Sequence, residues 1–460
     1  MYTIDRELIA NGIPGTLLAT LIKNHKTEIE RCKKLYQYYL GNHDILTRTM
    51  SDSTLPNNRL ICNFARYITT VAAGYLLGVP VEYKSTKEID ISKVEEAYFK
   101  QTISNVDSEL AKEASIFGYS NELVYANQDS EPRSVNLSPM ESFLVCDDTV
   151  EHQKLFAVHF YPVKNLEGMV THNVVNVYTE NKKLMYKTAG ADIAIINSLA
   201  AEDKGEGHYF GAVPFVEYKN NAEYQGDFEQ IKSLIDGYEV LQSDRLNDKQ
   251  QLVDALLILI GASLDGEDIK MLKEQRGLNL PPDADAKYLV KNLVETEVDV
   301  LKKSIAEDIH RFSQVPNLTD ESFAGNLSGV AIKYKLFGFD QLIKDKERYF
   351  ETGLMERFEL YNRFLSVKSS MPVVATTDVS AIFSRNLPVN NLEISQMVVN
   401  LKDILSDKTL IQLTTPLDSS IDSDEELKAL QDQRKEASEN MAVSFGIPGN
   451  LPADRLPEDV

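Results

Sequence analysis

The sequence predicts an α+β protein of several regions, and three observations carry that expectation. Short β-branched and aromatic runs cluster between Ile116 and Tyr218, with helical periodicity on either side. Two helical patterns then bracket a small insertion, and a helical run of unusual length extends from Val330 to Phe364. At 460 residues the chain is too long for one small core, so two or three structural units are expected.

Taken in order, Leu18, Leu21, Ile22, Ile29, Cys32, Tyr36 and Tyr39 recur at helical spacing over Leu17 to Leu40, and Gly41 supplies a stop. The polar stretch Asn42 to Asn58 reads as a loop before a second helix through Ile61, Phe64, Ile68, Ala72 and Leu76. Strands are expected at Asn121 to Tyr125, Phe143 to Cys146, Phe156 to Tyr161, Val174 to Tyr178 and Val213 to Tyr218. From Gly226 a helical stripe through Phe228, Ile231, Ile235 and Tyr238 gives way to QSDRLNDKQQ, polar on almost every face, which predicts a helix leaving its own core for solvent or a partner. The insertion offers LVDALLILIGA as a strand or buried helix end, a small helix from Gly266 to Arg276, and a strand at Lys287 to Lys291. Val298, Leu301, Ile305, Ile309 and Phe312 mark the returning helix, closed by Pro316. In the long run, Gly338 and Gly353 predict a kink. A strand around Val373 to Phe383 and helices at Ile394 to Leu405 and Glu425 to Ala442 complete the reading.

Composition narrows the function. With 48 basic against 70 acidic residues the formal charge is −22, the wrong sign for gripping phosphates, which requires clustered Lys and Arg. The same sign fits a surface past which DNA slides without sticking, though an ordinary acidic protein carries it equally well. No uncharged apolar run approaches the roughly 20 residues that span a bilayer. The first residues lack the basic and apolar stretches of a signal peptide, so synthesis in a cytoplasm and no membrane partner are expected. Cys32, Cys62 and Cys146 are odd in number and widely spaced, which suits reduced core thiols.

Motifs for chemistry are missing. There is no GxxxxGK[ST] phosphate loop, no GxSxG elbow and no HExxH pair. Pro282, Asp283, Asp285 and Lys287 superficially suggest a metal-dependent nuclease, but such a site needs carboxylates converging from separate strands, and these four lie within six residues. A polar turn is the plainer reading. No catalytic residue, metal or cofactor is expected.

Tyr38, Tyr39, Gly41 and His43, followed by NNRLICNFARYITTVAAGYLLGVPVEY from Asn57, resemble the N-terminal signature of portal proteins from long-tailed phages of Gram-positive hosts. The order continues with SIFGYSNELVY, LSPMESFLVCDD, FGAVPFVEYKNN, GDFEQIKSLIDGYEVLQSD, FAGNLSGVAIKYKLFGF, FSRNLPVN and LSDKTLIQL. The resemblance implies a multi-region portal fold: a wing over 1–224, a first stem helix over 225–251, a small α/β clip over 252–294 and a second stem helix over 295–313. A channel loop over 314–328, a long kinked helix over 329–366, a wing return strand over 367–389 and a helical crown with a tail over 390–460 follow. It implies a homo-oligomeric ring of about twelve around double-stranded DNA. The implied partners are a terminase large subunit, a head-tail connector protein, and major capsid and scaffolding proteins, with the virion as location. A head-to-tail adaptor ring is the non-enzymatic rival, but adaptors are shorter and lack a clip between two stem helices.

The resemblance also places Val315, Asn317, Leu318, Thr319, Asp320, Glu321, Phe323 and Asn326 in the channel loop and Lys333 and Lys335 on a channel-side helix. Asp265, Glu267, Asp268, Lys270, Lys273 and Arg276 would face terminase and connector on the clip. Independently, Pro316 ends a helix, and Asn317, Gly325, Asn326 and Gly329 favour exposed chain. The loop has no basic residue, so contact with DNA is expected to be steric and transient.

Overall fold

The computed structural model describes residues 2–53, 55–87, 89–188, 190, 196–198, 205–253, 256–261, 266, 282–289, 295–319, 329–369, 372–385, 391–402, 404–414 and 423–444. It divides into two compact units, one of residues 1–317 with 337–386 and one of 318–336 with 387–460.

The first unit opens with strand β1 (Tyr2–Ile4), then helices α1 (Gly15–Leu40) and α2 (Phe64–Leu77). The expected stop of α1 is present: Gly41 sits at φ +88°, the left-handed conformation that glycine adopts without strain. Strand β2 (Glu82–Ser85) leads to helices α3 (Ser92–Gln101) and α4 (Ile103–Phe117), separated by Thr102 at φ +55°. The strand-rich block follows as β3 (Tyr119–Ala126), β4 (Pro132–Leu137), β5 (Ser142–Asp147) and β6 (Lys154–Lys164). It continues with β7 (Val170–Tyr178), β8 (Lys182–Thr188), β9 (Ile196–Ser198), β10 (Glu206–Gly207) and β11 (Phe215–Lys219).

These strands form a seven-stranded sheet in the order β1-β5-β6-β7-β8-β10, with β9 also on β8, and a three-stranded sheet β11-β3-β4. All pairings are antiparallel except β1 on β5. The period-two alternation of a strand explains why β5 reads as a continuous apolar run. Phe143 and Val145 join Phe156, Val158, Phe160, Val175 and Val177 in a core against Leu18, Leu21 and Ile22 of α1. Leu144 and Cys146 belong to a second core with Ala157, Tyr178, Leu123 and Phe215. The central strands are buried on both faces.

Helix α5 (Lys232–Val253) runs to strand β12 (Leu256–Ile260), which pairs antiparallel with β13 (Asp285–Leu289) before helix α6 (Glu295–Ser313). The ambiguous run LVDALLILIGA thus contains a strand, and the strand expected at Lys287 begins two residues earlier. The expected helix from Gly266 to Arg276 lies outside the described residues apart from Gly266.

Helix α7 (Gly329–Ser369) is continuous over 41 residues. Within the first unit Phe339, Ile343, Lys346, Phe350, Leu354, Arg357 and Tyr361 recur every three or four residues, and all are buried. Gly353 has a packing reason to be glycine: a Cβ there would come within 2.5 Å of two carbons of the Tyr218 ring. Strand β14 (Val379–Ile382) then pairs with β2, a shorter strand than the run Val373 to Phe383 because Thr376–Asp378 form a 3-10 turn.

In the second unit, helices α8 (Asn391–Leu401), α9 (Asp407–Thr414) and α10 (Ser423–Ser444) are described. Helix α9 packs on both of the others, burying Leu410 and Ile411, and Arg434 clasps both carboxylate oxygens of Asp407 at 2.5 and 3.1 Å.

Candidate functional site

Helix α5 loses its apolar stripe after Leu241, yet one of its polar faces is covered as far as Asn247. Asp236, Glu239, Ser243, Asn247 and Gln250, spaced three or four apart, form one face on which residues 38–62 of the same chain are bonded. The Tyr38 hydroxyl donates to Asp236 at 2.6 Å, and the backbone N–H groups of Cys62, Leu60 and Asn58 donate to Glu239, Ser243 and Asn247 at 2.8, 3.0 and 2.8 Å. Asn58 Nδ2 reaches Gln250 at 2.7 Å, and Arg48 reaches Asp244 at 2.6 Å. Alternate residues of an extended segment donate to successive turns of a helix running the other way. Glu239, Ser243 and Asn247 are buried, so the expectation of a solvent- or partner-facing helix is corrected for this face: the cover is intramolecular. His43 Nδ1 lies 2.5 Å from Glu239 Oε1 and its Nε2 lies 2.8 Å from the Tyr38 carbonyl.

On another face of α5, Arg245 pairs with Asp299 of α6 at 2.9 Å. Helix α6 ends at Ser313, and Gln314 turns the chain at φ +58°. The expected stop at Val315 and Pro316 is then held by one local bond and one bond from α2. His310 Nδ1 donates to the Val315 carbonyl at 2.9 Å and the Tyr67 hydroxyl donates to the Pro316 carbonyl at 2.9 Å. The rings of Phe64 and Tyr67 lie edge-on to His310 at 5.9 and 5.7 Å.

The sequence-derived site residues separate accordingly. Val315 is fully buried, so its side chain anchors the base of the loop rather than offering itself to a passing ligand. Leu318 is 48% exposed, and Lys333 and Lys335 are exposed in the first turns of α7. Asp320, Glu321, Phe323 and Asn326, and the clip set Asp265, Glu267, Asp268, Lys270, Lys273 and Arg276, lie outside the described residues. Lys287 pairs with Asp285 at 2.8 Å on β13, an ion pair that neutralises one of the carboxylates weighed for a nuclease. Among the described residues no three His, Cys, Asp or Glu side chains group to hold a metal. Tyr67, Phe64 and His310, which set the loop base, escaped sequence reasoning; the only signal was an aromatic pair on α2 beside an unused histidine one turn from a helix end.

Helix α7 is tied to the strand-rich body by charges as well as apolar contacts. Arg357, fully buried, bonds Asp107, lies 3.5 Å from Glu122 and donates to the Tyr83 hydroxyl at 3.1 Å. The Tyr218 hydroxyl bonds the other oxygen of Glu122. Burial raises the Glu122 pKa, opposed by the Arg357 charge. Eleven residues earlier, Lys346 pairs with Asp227, to which Ser115 also donates.

A family model described as "Phage portal protein, SPP1 Gp6-like" matches residues 18–440. The portal protein of Bacillus phage SPP1 is 23% identical over 474 aligned positions, covering 99% of this chain and 90% of the relative. The portal protein of Clostridium phage phiCD119 is also 23% identical, covering 82% of this chain and 87% of the relative. A solved structure titled "Neck of empty GTA particle computed with C6 symmetry" is similar at 12% identity and a TM-score of 0.44, over 76% of this chain and 89% of that one. Because the family match runs from within α1 to within α10, and so through every element that builds the loop base and the α5–α6 pair, the chain belongs to the phage portal protein family.

Proposed function

We propose that this chain is the ring-forming subunit of a portal at one vertex of a phage capsid, with about twelve copies enclosing the channel through which double-stranded DNA enters and leaves. The family match supports this reading, and the observation that carries it is the α5–α6 pair. Both helices start or end in bonds to one α+β body, Arg245 and Asp299 hold them together, and a two-stranded β12–β13 tip joins them.

In this reading residues 1–224 with 367–389 form the wing, α5 and α6 the stem, and 252–294 the clip on which the terminase large subunit and a head-tail connector dock. The loop over 314–328 reaches toward DNA, and 390–460 form the crown; capsid and scaffolding proteins surround the wing. The chain works without catalysis and moves DNA only as a conduit for a separate motor. An acidic subunit suits that role, because phosphates passing it are repelled rather than held.

Electron microscopy of the purified protein tests the reading: rings with a central channel and a clip, stem, wing and crown outline are expected. Monomers at every salt and protein concentration would overturn it. Magnesium-dependent DNA cleavage that disappears in Asp283→Ala or Asp285→Ala would overturn the non-enzymatic assignment.

A further inference from the structure

The buried cluster that fixes α7 to the strand-rich body contains one cation and two carboxyl groups. Arg357 comes from α7, Asp107 from α4 and Glu122 from β3, and their side chains are 0%, 6% and 0% exposed. The other polar groups of the cluster are the phenols of Tyr83 on β2, Tyr98 on α3, Tyr218 on β11 and Tyr361 on α7, with the Ser134 hydroxyl on β4. No second cation is among these described contacts. The phenols cannot balance the excess carboxyl group, since ionising one adds a further negative charge. Burial pushes Tyr83 up to about 12 and Tyr98 and Tyr218 well above their ordinary value. Arg357 stays protonated throughout. One carboxyl group must then be either a buried, uncompensated anion or a neutral acid, and the anion is much the costlier.

Hydrogen bonding identifies which carboxyl group holds the proton. Arg357 Nη1 bonds Asp107 directly but lies 3.5 Å from Glu122 Oε1, which has no hydrogen-bond partner among the described residues. The Tyr218 hydroxyl donates to the other Glu122 oxygen, with the Ser134 hydroxyl near by. Asp227 shows what a buried carboxylate with its own cation gathers in the same interior. Lys346 and the Ser115 hydroxyl bond one of its oxygens, and Asn220 Nδ2 donates to the other at 2.8 Å. Glu122 has no such set of donors, and its nearest cation is already committed to Asp107.

We propose that Glu122 is held as the neutral acid, so that α7 docks on the strand-rich body with one bound proton and gives it up when the two part. Burial, helped by the charge of Asp107, raises the Glu122 pKa against the pull of Arg357, Ser134 and Tyr218. A folded-state value above the unfolded one means that the docked form binds the proton more tightly. The stabilisation is fully present below the unfolded value of about 4.3 and is lost as pH rises through the folded value. Any movement of α7 that brings water to Glu122 therefore releases a proton, and alkaline pH loosens the helix while acid tightens it.

Infrared spectra of the full chain in heavy water at neutral pH test this, because a neutral carboxylic acid has a carbonyl stretch well separated from the carboxylate bands. Wild type should show one such component that Glu122→Gln lacks; Glu113, which burial raises to about 7, contributes equally to both spectra. Asp107→Asn should lose the same component, since Arg357 is then free to pair with an ionised Glu122. In urea denaturation at successive pH values above about 4.3, the folding constant of wild type should fall relative to Glu122→Gln by about tenfold per pH unit, the slope of one proton, until the folded value is passed. Spectra of wild type and both variants that agree in the neutral-acid region overturn the proposal. So does a Glu122→Gln chain that is weaker than wild type by one constant factor at every pH, because Arg357 would then need the charge of Glu122. If Glu122→Gln does not fold, Asp107→Asn decides alone: a neutral-acid component that persists unchanged there overturns the assignment, and its loss supports it.

Discussion

His43 and Glu239 form a wholly buried pair, Nδ1 to Oε1 at 2.5 Å, where the segment leaving α1 meets the first polar turn of α5. Burial alone would lower the imidazole pKa, but the hydrogen bond and charge of Glu239, with the Tyr38 carbonyl on Nε2, outweigh it and leave the pKa raised. A raised folded-state pKa means that the stabilisation is fully present below the unfolded value and is lost as pH climbs through the folded value. The melting temperature difference between wild type and His43→Gln should therefore be larger at about pH 6 than at about pH 8.5. A difference independent of pH would show that the pair is held as a neutral hydrogen bond.

Gly353 and Gly338 lie fifteen residues apart in one helix and should respond oppositely to alanine. At Gly338 a Cβ meets nothing within 4 Å, so Gly338→Ala should stabilise by roughly 0.5–1 kcal/mol through helix propensity alone. At Gly353 the same Cβ would overlap the Tyr218 ring, which is fixed by its bond to Glu122, and the cost of about 1–3 kcal/mol should exceed that gain. Urea denaturation of the two variants separates these effects. Equal stabilisation at both positions would mean that the ring yields.

Arg357 is the sole cation bonded to the buried Asp107 and Glu122 among the contacts described, so Arg357→Met should cost about 3–5 kcal/mol by leaving uncompensated carboxylates inside the protein. Arg363 two turns on pairs with Glu359 at a half-exposed site, and Arg363→Met should cost about 1 kcal/mol or less. Comparable losses would indicate that water reaches the buried cluster.

Local patterning carried much of the fold. Helices α1, α6 and α7 announce themselves by apolar spacing, and α1 and α6 have legible stops in Gly41 and Pro316. Strands β5, β6 and β7 are legible because they are buried on both faces. Strand β8, KKLMYKT, was missed because lysines occupy three of its seven positions, and β4 because it begins with proline and alternates weakly. Helices α3 and α4 were missed because the left-handed Thr102 interrupts their periodicity. The polar face of α5 misled in a different way: amphipathicity treats polar residues as solvent-facing, whereas Glu239, Ser243 and Asn247 are buried as acceptors for a segment nearly two hundred residues earlier. Pairings of that range leave no periodic signature.

The loop after α6 should be separable from assembly. Its base is fixed by Val315 in the core and by the bonds from His310 and Tyr67 to the carbonyls of Val315 and Pro316, all within the first unit. Deleting residues 319–327 leaves those anchors in place, so rings should form with unchanged symmetry while DNA packaging or retention falls. Tyr67→Phe should act more mildly, since removing one donor frees the Pro316 carbonyl at a cost of about 1 kcal/mol without altering the ring flanks. Because no lysine or arginine lies between Val315 and Ser328, the packaging defect should be nearly independent of ionic strength, unlike the steep salt dependence of phosphate-gripping contacts. Packaging assays with the deletion variant at low and high salt read this directly. Normal packaging by the deletion variant would remove the loop from the channel assignment, and a defect that vanishes at low salt would show that its contact with DNA is electrostatic after all.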